Sequence, residues 1–366
     1  MKNKHLISTT IFALALATLT LGCWFGPRAA YSESERRPLA EKPTLTIESV
    51  LSGEFQDAFE LFSVDHFPFR DHFRSIKAMF SGYALGKKDN NGLFTTEGHI
   101  SKIEYPEHPE MKEHAANRFR YLYDTYLKDT NAKIYLSVIP DKNYFLAEKN
   151  GYLSLDYPAF IEDFQTRMEY AEYIDILPLL SLDDFYRTDS HWKQEEITDI
   201  AEFIGNAMGT DVKSEYTVNT LDVPFSGVYL GQSALPFAPD TIRYLTSDAL
   251  SACKVNYFDS GKAELGEIYH MEKAHGKDPY EMFLSGTSAL IEIENPNSKT
   301  EKELVVFRDS YGSSLVPLLT AGYRKITVVD IRYLQSNFLG NFISFDNQDV
   351  LFMYSTTLLN NSMSLR

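Results

Sequence analysis

The segment KIYLSVIP, residues 133–140, is a short apolar run that ends at a proline. A run of this length that stops at a turn residue predicts a buried strand over Lys133–Ile139. Similar runs occur at Tyr173–Leu177, Glu303–Phe307, Ile326–Ile331 and Val350–Tyr354. We therefore expect about five strands of this kind in one sheet.

Stretches with helical spacing separate or flank these runs. They are Met111–Leu127, Ala159–Met168, Gln194–Met208, Ser313–Ala321 and Arg332–Phe338. Short apolar strands that alternate with amphipathic helices indicate a mostly parallel sheet with helices on both faces. The sequence thus predicts an α/β fold with three layers, α/β/α.

Residues 214–300 do not show this alternation of apolar strands and amphipathic helices. They contain Phe225–Tyr229, Thr241–Leu245 and Leu290–Ile293, which have the composition of strand fragments within loops. We predict that this loop- and strand-rich stretch is an insertion or cap in an α/β domain that spans residues 106–366.

The N-terminus carries two lysines and then an uncharged run of 20 residues from Leu6 to Phe25. At about 1.5 Å per helical residue, the run reaches roughly 30 Å, which is the hydrocarbon thickness of a bilayer. Residues 1–30 fit a signal anchor or a signal peptide, and we predict an uncleaved anchor at the cell membrane with the remaining chain extracytoplasmic. Because the tetrapeptide TLGC that ends at Cys23 resembles a lipobox, a lipoprotein modified at Cys23 is the alternative.

Residues 31–105 follow as a tether and membrane-proximal segment. Tyr31–Thr44 is charged and contains proline, which is typical of a tether. Ile47–Phe80 mixes polar and aromatic residues at helical spacing, and Gly92–Phe94 and Gly98–Ile100 predict two short strands joined by a turn.

Composition limits the classes of partner. The formal net charge is −16, and nucleic acid is excluded because phosphate binding needs clustered Lys and Arg. The two cysteines, Cys23 and Cys253, are not expected to pair, since Cys23 lies at membrane depth. The absence of CxxC pairs argues against structural zinc.

A candidate nucleophile lies in FRDSYGS, Phe307–Ser313, at the end of one predicted strand and the start of a helix. In open α/β sheets, ligands bind beyond the carboxyl ends of the strands. Ser310 would have its hydroxyl beside backbone N–H groups that the first helical turn leaves unpaired, and these can stabilise an oxyanion. The alternative is that Asp309 or Ser310 only caps the helix.

A candidate base lies in YRTDSHW, Tyr186–Trp192, directly before another predicted helix. A nucleophilic hydroxyl needs a base, and the imidazole needs a partner on its second nitrogen, which Asp189 can provide for His191. An N-cap role for Asp189, or a His191–Trp192 pair that closes the sheet edge, are the alternatives. Because both segments lie at strand-to-helix positions of one parallel sheet, we predict a Ser310–His191–Asp189 triad. A metal site is the weaker interpretation, because one Asp-x-His motif supplies at most two ligands and no third lies nearby in the sequence. No cofactor is expected.

The sequence evidence that other residues belong to the site is weaker. Lys142 follows the first strand and is a candidate for substrate contact, although a solvated loop lysine is the favoured interpretation. We predict that Asp330 and Arg332 form an internal ion pair. Further candidates, for which turn and packing roles are the alternatives, are Tyr280, Gly286 and Thr287.

The sequence resembles the DHHW family of exported proteins from about residue 33 to the C-terminus. The resemblance is carried by the two blocks above together with RRPL at Arg36–Leu39, Asp65–Asp71, VPLL at Val316–Leu319 and VDIRY at Val329–Tyr333. That family is similar to the alginate O-acetyltransferases and their SGNH-hydrolase-like domain. The resemblance implies an SGNH-hydrolase-like fold, with Asp189 and His191 as the Asp-x-His motif and Ser310 as the nucleophile.

Two positions depart from the family pattern. Ser190 replaces the His of the name motif, while the neighbouring Trp192 is retained and is kept as a candidate beside the substrate. Arg308 replaces the glycine of an ordinary Gly-Asp-Ser block, whose N–H helps to bind the oxyanion. We therefore expect the N–H groups of Tyr311 and Gly312, or the Arg308 guanidinium, to act there instead.

The resemblance implies an O-acyltransferase, with acetyl as the expected group, that acts on a cell-surface polysaccharide. Ser310 would take up the acyl group as an ester, and His191 would activate first the serine and then a sugar hydroxyl. A membrane-bound O-acyltransferase partner that supplies acyl groups is implied by the resemblance alone. The alternatives are a carbohydrate esterase and a non-catalytic polysaccharide-binding or assembly protein on the same fold.

Overall fold

A computed structural model of the chain describes residues 2–366. The contacts between residues divide the chain into two compact units. The first unit contains residues 2–94 and 228–238, and the second contains residues 95–227 and 239–366.

The secondary structure is numbered in chain order. The α-helices are α1 Lys2–Phe25, α2 Ile47–Ser52, α3 Glu54–Asp65, α4 Arg70–Met79, α5 Pro109–Leu122, α6 Asn143–Leu146, α7 Tyr157–Arg167, α8 Thr198–Ala207, α9 Val228–Ser233, α10 Asp248–Ala252, α11 Met271–Ala274, α12 Gly312–Leu319 and α13 Thr356–Leu359. The β-strands are β1 Tyr31–Ser32, β2 Arg37–Pro38, β3 Leu93–Thr96, β4 His99–Lys102, β5 Lys133–Ile139, β6 Glu172–Tyr173, β7 Thr217–Phe225, β8 Asp240–Thr246, β9 Lys254–Tyr257, β10 Glu264–Gly266, β11 Leu290–Glu294, β12 Glu303–Arg308, β13 Lys325–Val329 and β14 Asp349–Ser355. The π-helical turns are Phe80–Ala84 and Tyr123–Leu127, and the 3-10 turns are Glu148–Asn150, Leu177–Leu179, Leu182–Asp184, Gln194–Glu196, Pro279–Met282, Thr320–Gly322, Ser336–Asn341 and Ser362–Ser364.

The first unit begins with the apolar helix α1. Its segment Lys4–Phe25 has a mean hydropathy of 1.9 and is long and apolar enough to cross a membrane. A signal sequence and an anchor both have these properties.

The segment that was predicted as a tether is ordered at its start. Strands β1 and β2 pair as an antiparallel hairpin, and the Arg37 guanidinium binds the carboxylate of Asp65 in α3, with Nη1 to Oδ2 at 3.0 Å. This hydrogen-bonded ion pair lowers the pKa of Asp65. The prediction of a plain tether over Tyr31–Thr44 is therefore wrong for its first part.

The second unit is built on an eight-stranded sheet in the order β10-β9-β11-β13-β12-β14-β5-β6, counted over residues 2–366. Neighbours from β13 to β6 are parallel. These five parallel strands are the five that the sequence predicts, and β5 has the predicted bounds. Strand β6 is shorter than predicted because the Asp175 carboxylate accepts the Leu177 N–H at 3.1 Å and turns the chain.

Helices cover both faces of this sheet, and adjacent strand residues explain why. In β12, Val306 faces a core cluster that includes Ile204 of α8 and Leu315 of α12. Its neighbour Val305 faces a second cluster that includes Phe119 of α5. Successive side chains of a strand point to opposite faces, so a continuous apolar strand requires cover on both sides. The α/β/α prediction is confirmed.

Two of the predicted elements are wrong in part. Residues 214–300 are not only an insertion, because β9, β10 and β11 extend the central sheet as antiparallel strands, while β7 and β8 form a separate hairpin. No α-helix forms over Arg332–Phe338. The Asp330 carbonyl accepts the N–H groups of Tyr333 and Leu334, both at 3.0 Å, in a turn that is not continued, and the 3-10 turn Ser336–Asn341 covers only the last three residues of the predicted helix.

Candidate active site

Ser310 lies in the turn between β12 and α12, at the carboxyl end of a strand in the middle of the sheet. The side chain of Asp309 fixes this turn. One carboxylate oxygen accepts the Tyr311 N–H at 3.0 Å, and the other accepts the N–H and hydroxyl of Ser355 at 2.8 and 2.6 Å. Because Ser355 ends the neighbouring strand β14, the position of Ser310 is set by two parallel strands.

Asp189 and His191 lie in a tight loop. The Tyr186 N–H donates to the His191 carbonyl at 3.0 Å, and the Lys193 N–H donates to the Asp184 carbonyl at 2.7 Å. The Asp189 side chain is fully buried, whereas 13% of the His191 side chain is exposed. The loop thus presents the imidazole to solvent and keeps the carboxylate behind it.

The structure brings Ser310, His191 and Asp189 together. His191 Nε2 lies 2.7 Å from Ser310 Oγ, and His191 Nδ1 lies 2.6 Å from Asp189 Oδ1. The same carboxylate oxygen accepts the His191 backbone N–H at 3.1 Å. Since a carboxylate accepts hydrogen bonds, the ring proton belongs on Nδ1 and leaves Nε2 to accept from the serine hydroxyl. This arrangement is suited to removing a proton from Ser310.

Two tyrosines hold the imidazole in its plane. The Tyr280 ring stacks on the His191 ring with centroids 4.0 Å apart and an interplanar angle of 12°, and its hydroxyl is 2.9 Å from Ser314 Oγ. The Tyr311 hydroxyl donates to the Ser190 carbonyl at 2.6 Å. Burial raises the pKa of Tyr280, which keeps its hydroxyl neutral. The sequence offered Tyr280 only as a weak candidate.

Trp192 ties the loop to α12. Its indole N–H is 3.0 Å from both the Tyr311 carbonyl and Ser314 Oγ, and the side chain is buried. A side chain with its polar atom and rings enclosed in this way positions its neighbours. The prediction that Trp192 contacts substrate is wrong.

The predicted oxyanion donors are already engaged. The Tyr311 N–H donates to the Asp309 carboxylate at 3.0 Å, and the Gly312 N–H donates to the Asp309 carbonyl at 3.1 Å. The prediction that these two groups bind an oxyanion is therefore wrong. Within residues 2–366, the Ser310 N–H makes no hydrogen bond, which leaves it as the available backbone donor of this turn.

Arg308 does not face the site. Its side chain is fully buried, lies 3.7 Å from Asp330, and donates to the carbonyls of Gly286 and Asp309 at 3.3 Å. Burial lowers the pKa of Arg308. The prediction that its charge serves substrate is wrong, whereas the predicted pair of Asp330 with Arg332 is present, with Nη2 to Oδ2 at 2.6 Å.

Lys142 is buried, so the interpretation of a solvated loop lysine is wrong, and the structure gives it a structural contact instead of a substrate contact. Its Nζ donates to the carbonyls of Ile100, Tyr186 and Arg187 at 2.6, 2.8 and 3.2 Å. Burial lowers the pKa of Lys142 to about 7. The lysine therefore holds the backbone that leads into Asp189.

Asp240 holds the same backbone from another side and was missed by sequence reasoning. Its Oδ2 accepts the Thr188 N–H at 2.7 Å and the Thr188 hydroxyl at 2.6 Å, and its Oδ1 accepts the Arg187 N–H at 3.2 Å. No local pattern indicates this role, since Asp240 is separated from the loop by about 50 residues and simply begins β8.

Gly227 packs directly behind the loop. A Cβ atom there would lie 2.3 Å from the Thr188 carbonyl oxygen and 2.5 Å from Asp189 Cβ, closer than real Cβ contacts. Replacing Gly227 with alanine is therefore expected to displace Asp189 and to lower kcat/KM for an ester substrate by about 10²-fold, because catalytic geometry tolerates little displacement. Steady-state kinetics on the purified protein would measure this fall in kcat/KM.

Gly82 provides the matched control, because a Cβ atom there would meet nothing within 4 Å. The Gly82→Ala protein should keep its activity. If Gly227→Ala also kept its activity within about threefold, the argument that this contact positions the site would be contradicted.

Among residues 2–366 there is no group of three or more His, Cys, Asp or Glu side chains that could hold a metal ion. The chemistry that these residues support is nucleophilic attack by a serine oxygen with an imidazole as base.

Neither a protein-family model nor a curated protein sequence matches the chain. Solved structures do resemble it. A DHHW family protein from Eubacterium siraeum aligns with 22% identity and a TM-score of 0.61, and the alignment covers 76% of this chain and 95% of that one. PatB1 from Bacillus cereus aligns with 18% identity and a TM-score of 0.57 over 74% of this chain and 97% of PatB1, and its structure with a sulfonyl adduct aligns similarly. The O-acetyltransferase domain of Pseudomonas putida AlgJ aligns with 14% identity and a TM-score of 0.43, over 74% of this chain and 92% of that domain.

These similarities show that the chain has the α/β fold of the DHHW family protein and of PatB1. The resemblance to the DHHW family that the sequence motifs indicate is thus confirmed at the level of the fold.

Proposed function

We propose that this protein is an extracytoplasmic O-acyltransferase that transfers acetyl groups to hydroxyls of a cell-surface polysaccharide. The observation that carries the proposal is the continuous hydrogen-bonded chain from Ser310 through His191 to Asp189, at the carboxyl end of the central strands. The resemblance of both sequence blocks to the DHHW and alginate O-acetyltransferase families supports acyl transfer to a sugar as the reaction.

The first half-reaction forms an acyl-serine. Ser310 Oγ attacks the carbonyl carbon of the donor ester, and His191 Nε2 takes the hydroxyl proton. The carbonyl oxygen becomes an oxyanion, for which the Ser310 N–H is the backbone donor at the turn. Collapse of this intermediate breaks the bond to the leaving alcohol, which takes the proton from His191 and departs.

The second half-reaction returns the enzyme to its starting state. A sugar hydroxyl enters where the leaving alcohol stood, and His191 Nε2 removes its proton as its oxygen attacks the acyl-serine carbonyl. The second intermediate collapses to the sugar ester, and Ser310 Oγ regains its proton from the imidazolium. Asp189 stabilises the imidazolium in both halves and stays ionised.

The N-terminal helix fits the same proposal. With α1 as an uncleaved anchor, the second unit would work outside the membrane, where acyl groups must arrive by transfer. A membrane-bound O-acyltransferase is the proposed source of these acyl groups. Lipidation at Cys23 is the alternative way in which the chain would be attached to the membrane. Cys23 is buried, with its thiol 3.4 Å from the Ser63 carbonyl.

Acyl transfer can be measured directly with the full chain in detergent. The protein would be incubated with p-nitrophenyl acetate and a neutral oligosaccharide, and the sugar products would be analysed by mass spectrometry. We expect monoacetylated oligosaccharide, and a short quench should trap acetyl on the tryptic peptide that contains Ser310. A fully acetylated oligosaccharide, which has no free hydroxyl, is the matched control acceptor.

The other outcomes point to the other functions. Release of acetate with no acetylated sugar would identify an esterase and contradict transfer. Absence of both ester turnover and acetylated peptide would contradict an enzyme of this kind and favour a binding or assembly protein.

A further inference from the structure

The first unit exposes an unusual number of large apolar side chains. On α2 to α4 and the turn after α4, side chains that are 47–83% exposed belong to Leu51, Leu61, Val64, Phe69, Phe73, Ile76 and Phe80. Soluble proteins rarely expose contiguous apolar patches larger than a few hundred Å², and larger patches mark contact sites for proteins or membranes.

The apolar side chains of α4 follow one helical face. Phe69, Phe73, Ile76 and Phe80 stand at intervals of four, three and four residues, which places them along one stripe. Arg74, which lies between them in sequence, points the other way and pairs with Glu35 at 3.2 Å. Helix α4 is thus amphipathic with its apolar stripe directed outward, the reverse of a helix packed on a core.

Phe69 stands out among these residues. Its φ of 58° lies in the left-handed region, although its side chain is bulky and 72% exposed. That conformation is costly for a residue of this type and persists where the surroundings require it. Since no core packing accounts for an exposed ring, the strained backbone points to a role for the ring outside the folded chain.

The end of α1 lies against the same helices. The Trp24 ring stacks on Phe59 of α3 with centroids 5.0 Å apart, and the Cys23 thiol is 3.4 Å from the Ser63 carbonyl. Lys42 lies 5.6 Å from the Trp24 ring centroid. A tryptophan with a cation at the end of an apolar helix of bilayer length is the arrangement typical of a membrane–water interface. With α1 as the anchor proposed above, on which this inference rests, helix α3 would lie at the level where α1 leaves the hydrocarbon.

A groove of about 880 Å³ runs between α3 and α4. Its apolar walls include Phe55, Phe59, Val64 and Phe73. Its polar lining includes Arg70 and Glu35, which pair with each other at 2.6 Å. A concave apolar surface of this size can accept the flexible chain of an amphiphile.

We propose that the outward face of α2 to α4 lies in the membrane interface, and that the lipids of the bilayer are its occupant. Continuity with α1 selects this occupant, because the face begins where the apolar helix ends. The acidic residues Glu54, Asp57 and Glu60 of α3 are also exposed, so we expect binding to rest on apolar burial and not on attraction to anionic headgroups. The face should therefore insert into zwitterionic membranes.

Photolabelling from within the bilayer tests the proposal on the full chain. The protein would be reconstituted in phosphatidylcholine vesicles that contain a phospholipid with a diazirine on its acyl chain, and labelled peptides would be mapped by mass spectrometry. We expect label on α1 and also on α2 to α4. Leu265 and Met363 of the second unit, which are 83% and 68% exposed, are the matched controls and should stay unlabelled.

The outcomes separate this proposal from the proposed anchor. Label on α1 alone would overturn the interfacial role of α2 to α4, and absence of label on both would overturn the anchor as well. Label on α2 to α4 with an unlabelled α1 would support the interfacial face and contradict the anchor. A face covered by a protein instead of lipid would give no label here and would also overturn the proposal.

A single substitution sharpens the test. Phe69→Asn removes the apolar ring and places at φ 58° a residue that tolerates the left-handed region. We expect the label on α4 to fall at least about twofold while the thermal unfolding temperature does not fall, because the backbone strain is relieved. Unchanged label in a folded variant would contradict the role given to this ring.

Discussion

Replacing Ser310 with alanine is expected to lower acyl transfer by at least about 10⁴-fold, because the oxygen that carries the acyl group is lost. The fold should not suffer, since the hydroxyl is partly exposed and its hydrogen bond joins it to His191 at 2.7 Å. Steady-state kinetics with an ester donor would measure the loss, and the acetylated peptide that contains residue 310 should disappear.

Ser313, three residues further on, provides a closely matched control. It is a serine in the first turn of α12, and its buried hydroxyl has no hydrogen-bond partner within residues 2–366. Ser313→Ala should therefore retain activity and be as stable as the wild type or slightly more so. If Ser310→Ala kept more than about a tenth of the wild-type activity, the acyl-serine mechanism would fail.

The central strands could be predicted from sequence because they are buried on both faces. Lys133–Ile139 is a nearly continuous apolar run, and β5 has these bounds. In contrast, β11 reads LIEIE and β10 reads ELG, which mix charged and apolar residues because they lie toward one edge of the sheet as antiparallel strands. Their place is set by pairing with β13 and β9, which a local pattern does not encode.

The meeting of Ser310 with His191, which are 119 residues apart, could be expected from topology, because the carboxyl ends of parallel strands share one edge of a sheet. The oxyanion donors could not be predicted. Whether the Tyr311 N–H can bind an oxyanion depends on the conformation of the Asp309 side chain. In the structure, the Asp309 carboxylate accepts the Tyr311 N–H. The rotamer of one side chain cannot be predicted from the types of residue around it in the sequence.

The residues that hold the loop of Asp189 and His191 in place could not be identified from the sequence either. Lys142 looked like a loop lysine because its three acceptors are backbone carbonyls, which have no residue signature. Gly227 looked like part of an ordinary strand fragment, although its missing Cβ is what lets Asp189 approach. Both roles depend on distances between segments that are remote in the chain.

Asp189→Asn is expected to lower kcat by about 10⁴-fold while the protein stays folded. The substitution preserves the size of a side chain that is fully buried, so packing is retained. The amide, however, has an NH₂ group that can donate to His191 Nδ1, which moves the ring proton to Nε2 and removes the acceptor that Ser310 needs. The imidazolium also loses the negative charge 2.6 Å from Nδ1 that stabilises it.

The matched control is Asp222→Asn, since Asp222 also lies near a histidine, 3.4 Å from His275, but its side chain is 85% exposed. That variant should keep its activity, because an exposed pair of this kind contributes little. Circular dichroism melts of both variants would show that the fold is intact before rates are compared. Should Asp189→Asn keep its activity within about tenfold, the carboxylate would not be orienting His191, and the imidazole would have to act as base without the partner on which the proposed chemistry depends.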